Sequence, residues 1–93
     1  MTVTEFAALP GGDLIADGLR DLAARRQTVA STLVEIGAPR LRQLGLIVPE
    51  SAEGPEHRLY ALLIRESPDN GHARYNALLR RLVSFERALA CVS

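Results

Sequence analysis

The sequence predicts an all-α fold: a small helical bundle of three main helices plus a short connecting helix, completed by homodimerisation. Two observations carry the helical class. Apolar residues recur at alternating spacings of three and four along two long stretches, Asp13 to Gly37 and Asp69 to Val92, which is the period of one helix face. Glycine and proline fall chiefly between such stretches, at Pro10-Gly11-Gly12, Gly37, Gly45, Gly54-Pro55 and Ser67-Pro68, where they start or stop helices. Length supplies the third: 93 residues allow one core, so residues 1–93 form a single domain.

Residues 1–12 read as an N-terminal arm or short docking turn. Thr2-Val3-Thr4-Glu5 fits a capping box, and Phe6 and Leu9 behind it need an apolar surface, this chain's own or a neighbour's. Asp13 is a good N-cap for one long helix with Gly37 as its C-terminal stop. The seam of that helix is Ile15, Leu19, Leu22, Arg26, Val29, Leu33 and Ile36, coiled-coil-like apart from the arginine in its middle. Gly18 costs about 1 kcal/mol in a helix interior, so it either admits a close neighbour or lies near the true helix start. Pro39 suits the first turn of the short connecting helix, which Gly45 closes. Leu41, Leu44, Leu46, Ile47 and Val48 then make an apolar corner, and Pro49 to Pro55 is a polar loop.

Gly54-Pro55 opens the next helix, in which Leu59, Leu62 and Leu63, broadened by Tyr60 and Ile64, leave little surface wet. Ser67-Pro68 ends it, and Asp69–Val92 follows at once, so the two form an antiparallel hairpin. The last helix carries Tyr75, Leu78, Leu82, Phe85, Leu89 and Val92 as its stripe, widened by Leu79 and Val83. Arg74, Arg80, Arg81, Ser84 and Arg87 occupy the opposite arc. Two helices of roughly 20–24 residues span about 30–36 Å, whereas a compact chain of this size has a radius of gyration of about 12–13 Å. They overhang a three-helix monomer, and a second copy would cover the surplus stripe. A homodimer is therefore expected.

The segment RLRQLGLIVPESAEGPEHRLY, Arg40 to Tyr60, resembles the stretch after the recognition helix in MerR-type regulators. The likeness covers that segment alone and departs upstream, where Gly37 to Gly45 leaves no room for a full recognition helix. No fold, function or residue is carried over from it.

All eleven basic residues are arginine, whose fork suits phosphates and carboxylates. Aspartate and glutamate also number eleven, for a formal charge of zero, so the balance points to neither nucleic acid nor membrane. No apolar run approaches the roughly 18–20 residues of a membrane span. The first residues lack the basic start and apolar core of a signal peptide, and Cys91, the single cysteine, cannot form an internal disulfide. A cytoplasmic protein without cofactor or metal is expected. Asp13, Asp17 and Asp21 share a helix face, but no His or Glu joins them at ligand spacing. The GxxxxGK[ST], HExxH, CxxC and GxSxG patterns are absent.

One compact polar cluster stands at the head of the last helix: Asp69, His72, Tyr75 and Asn76, with Arg74 and Arg80 nearby. An aspartate-oriented histidine beside a tyrosine can do acid–base work. The same residues can meet a ligand or partner, and the plainest expectation is capping and solvation. Arg26 and Glu86 each lie in or beside an apolar face without a helical neighbour to neutralise them, so they are expected to pair, within or between subunits. His57 reads as surface. The expected function is a non-catalytic protein–protein interaction or regulatory adaptor module, acting as a dimer. One alternative is a nucleic-acid-binding regulator using the arginine face of the C-terminal helix, since Pro55 to Ser93 holds six arginines against four acids. Another is a small-ligand binder or enzyme around His72.

Overall fold

The computed structural model describes residues 3–50 and 52–92. Over them the chain forms five helices and no strand: α1 (Val3–Ala7), α2 (Gly12–Ala23), α3 (Val29–Gln43), α4 (Pro55–Glu66) and α5 (Gly71–Val92). The all-α class expected from the periodicity is the observed one. The Thr2 half of the expected capping box lies outside the described residues.

The long helix expected from Asp13 to Gly37 is two helices. Arg25 turns left-handed, with φ 59°. Its N–H donates to the Leu22 carbonyl at 3.0 Å, and the Arg26 N–H donates to the Asp21 carbonyl at 2.8 Å. That bond pair is a Schellman stop, normally built on glycine. Three residues after Arg25, Thr28 opens α3 with a reciprocal box: its side chain accepts from the Ser31 N–H, and the Ser31 hydroxyl accepts from the Thr28 N–H. Asp21 staples the turn, accepting from Arg26 Nη2 and from the Thr28 hydroxyl at 2.9 and 2.8 Å. The apolar seam runs on through the break because both helices bury a face.

Gly37 does not stop α3 but lies inside it, where a Cβ would come within 2.8 Å of Leu82 Cδ1. Pro39 is also internal, so the expected connecting helix is the last part of α3. Gly45, φ 99°, ends it as expected, with a second Schellman pair from Gly45 to Arg42 and from Leu46 to Leu41. Asp13 is not the cap of α2; Gly11, φ 74°, takes that position.

Helix α3 is the centre of the molecule, packed against α2, α4 and α5. Ser31 to Glu35, Gly37, Ala38 and Leu41 are all buried, so its first half is enclosed nearly all round, while Pro39, Arg40, Arg42 and Gln43 are exposed. Gly18 lets α2 come close to α3: a Cβ there would meet the Ala30 carbonyl oxygen at 2.4 Å and Val34 Cγ2 at 2.5 Å. The arm docks on its own body, with Phe6 buried edge-on against Phe85 at 5.8 Å and 71°. In the apolar corner Leu41, Leu46 and Val48 are buried, while Ile47 is 92% exposed. Helix α5, about 33 Å long, runs most of the 38 Å long axis. No described helix is long and apolar enough to cross a membrane.

Candidate functional site

The α4–α5 hairpin positions the cluster expected at the head of the last helix. The Asn70 N–H donates to the Ser67 carbonyl, and the Asn70 carbonyl accepts from the Arg74 N–H to open α5. Gly71 lets the turn close, since a Cβ there would lie 2.5 Å from Ile64 Cδ1. Tyr60 of α4 then meets His72 and Tyr75 edge-on, at 6.3 and 5.6 Å between ring centres. Asn76 Nδ2 pairs with His72 Nε2 at 3.3 Å. His72 and Tyr60 are exposed, and Tyr75 and Asn76 are half-buried.

So His72, Tyr75 and Asn76 come together, with Tyr60, which the sequence reading left out of the cluster. Arg74 turns away to Glu66 of α4 at 3.0 Å. Arg80 lies further along the helix, and no hydrogen bond or ion pair joins Asp69 to His72 among the described residues. The cluster is an open aromatic contact between the two helices of the hairpin, and no carboxylate orients His72 among the described residues.

Arg26 and Glu86 do not pair within the chain. Helix α2 ends before Arg26, which swings into solvent and pairs with Asp21 at 2.9 Å. Glu86 lies over Gly37, where its Oε2 would be 3.3 Å from an added Cβ. Burial pushes the Glu86 carboxyl above its ordinary value, and the Arg40 guanidinium pulls it back.

The outer arc of α5 is exposed along its length. Leu79, Arg80, Val83, Ser84 and Arg87 line a shallow groove of about 380 Å³, with Val83 42% exposed. Arg81 leans to Asp13 at 3.4 Å and Arg74 is held by Glu66. Arg80 and Arg87 form no ion pair among the described residues.

The sequence reading missed the pair that does sit inside. Glu35, its side chain 7% exposed, lies 2.6 Å from Arg58 Nη2. The available signal was an acid within the apolar run Leu33-Val34-Glu35-Ile36; only the enclosure of α3 by its neighbours shows that it is buried. Arg58 also donates to the carbonyls of Glu53 and Ala52, at 3.2 and 2.9 Å. Arg42 does the same to Val48 and Pro49. Two arginines therefore hold the loop between α3 and α4. Asp13, Asp17 and Asp21 go to Arg81, Arg20 and Arg26, and no group of three potential metal ligands gathers among the described residues. Comparison with known protein families, curated proteins and solved structures finds no match.

Proposed function

We propose that this protein is a non-catalytic helical interaction module whose working surface is the outer face of α5, and that it takes an acidic amphipathic segment of another protein. One observation carries the reading: exposed Val83 lies between Arg80 and Arg87, which have no acidic partner of their own among the described residues. An apolar side chain ringed by free guanidinium groups matches a segment that offers an apolar residue flanked by carboxylates. Two copies apposed through this face would set these arginines against each other. The test is fluorescence anisotropy with a labelled helical peptide of leucines flanked by glutamates. Binding on the order of 10–100 µM at low salt, weakened by salt and lost in Arg80→Glu/Arg87→Glu, supports the reading. Equal affinity in wild type and double variant overturns it.

A homodimer is the second reading. It is favoured by Val92, 55% exposed beyond the last buried residue of α5, Leu89. A self-association that survives high salt would select it over the acidic partner.

A further inference from the structure

A second polar surface, away from α5, lies where the α2–α3 turn, the side of α3, the loop after α3 and the start of α4 converge. It is an open cleft of about 670 Å³ whose polar lining includes Arg25, Arg26, Gln27, Glu35, Glu50 and Arg58, with Leu22 and Pro49 on its apolar side. None of its lining belongs to α5, so it stands or falls apart from the function proposed above. We infer that this cleft binds a small organic oxyanion, a phosphate or carboxylate joined to a compact apolar body.

Three of the eleven arginines meet in this cleft, and they are not equivalent. Arg58 is fixed: Glu35 lies beneath it and two loop carbonyls accept from it. Its contact with Glu35 Oε2 is close but lacks hydrogen-bond angles, so that buried oxygen accepts no hydrogen bond. Glu35 thus acts as a counter-charge that positions Arg58, leaving the Nη1 edge without a hydrogen bond among the described residues. Arg26 is tied to Asp21 but exposed, and so free to turn. The Arg25 side chain has no ion pair or hydrogen bond among the described residues, and the residue stands in a left-handed backbone that normally calls for glycine.

A strained residue that also presents an unpartnered guanidinium into a cleft is the kind of outlier that points to a ligand. Its fork takes either oxyanion in bidentate fashion. One free cation matches a singly charged group, while Glu35 and Glu50 oppose a crowded polyanion. Leu22 and Pro49 supply a wall for the ligand's apolar part. Arg25 is the ligand-contacting residue of this proposal, and Glu35 acts only through Arg58.

The experiment is isothermal titration calorimetry on the full chain at low salt with inorganic phosphate, phenyl phosphate and benzoate. Saturable binding of phenyl phosphate or benzoate near 1 mM or tighter is expected, with inorganic phosphate weaker. Whichever of the two organic anions is tighter names the oxyanion. Arg25→Gly should weaken binding about tenfold or more while its melting temperature stays at or above the wild-type value. That separates lost recognition from lost folding. Arg65→Gln, an exposed arginine outside the cleft, should bind as wild type does. No saturable heat with any of the three anions, or equal affinity in Arg25→Gly and wild type, overturns the proposal.

Discussion

At the scale of single residues, Arg25 is where local preference and the fold disagree most. A non-glycine residue in the left-handed region costs about 1–2 kcal/mol, and Arg25 sits at φ 59°. Arg25→Gly should therefore stabilise the fold by about 1 kcal/mol, a rise of about 4–8 °C in melting temperature for a chain of this size; calorimetry checks it. Arg58→Ala leaves Glu35 as a buried, unpaired carboxylate. It should cost about 2–4 kcal/mol in urea unfolding, whereas Arg65→Ala, exposed, should stay within about 0.5 kcal/mol.

Glu86 contributes a pH dependence of its own. Its folded-state carboxyl is raised by burial, so the folded protein holds that proton more tightly than the unfolded chain. The associated stability is present below the unfolded pKa and is lost as pH rises through the folded one. Glu86→Gln should melt higher than wild type at pH 7, and the gap should close as pH falls toward about 4. A gap that widens on acidification would reverse the assignment. Little of this was legible in the sequence. Arg26 looked buried because the seam runs through it, and Glu35 looked unremarkable because burial on several sides is a property of packing, not of spacing.

At the scale of elements, Gly18 makes the clearest prediction. Alanine there gains about 1 kcal/mol of helix propensity but drives a Cβ into the Ala30 carbonyl, which cannot rotate away. Gly18→Ala should still be destabilising, by about 1–3 kcal/mol net, and a midpoint equal to wild type would mean that α2 and α3 sit further apart. The hairpin of α4 and α5 was readable because Gly54-Pro55, Ser67-Pro68 and the stripe from Tyr75 to Leu89 all agree with it. The α2–α3 break was not, because its stop uses an arginine where glycine is expected and its start signal, Thr28 with Ser31, lies inside an unbroken apolar period. Gly37 and Pro39 misled in the opposite sense: Gly37 makes room for Leu82, and Pro39 is carried by a helix held on several sides.

At the scale of the whole molecule, splitting the first long helix changes the case for a second copy. The expectation rested on two helices overhanging the bundle. With α2 and α3 folded back on each other, and the arm's Phe6 filling the space beside Phe85, only α5 remains long. One chain then buries its own core from Phe6 to Leu89, and the outer face of α5 stays exposed for the acidic partner we propose. The His72 cluster was legible as a set of neighbours, since three- and four-residue spacings bring side chains together on any helix. Its openness was not, because that depends on where α4 lies.

Native mass by light scattering, with and without about 0.5 M salt, tests that claim most directly. A single chain of 10.1 kDa at both salts is the result this account predicts. A dimer that persists at both would contradict it, because the apolar residues of α5 would then meet a second copy instead of waiting for an acidic partner.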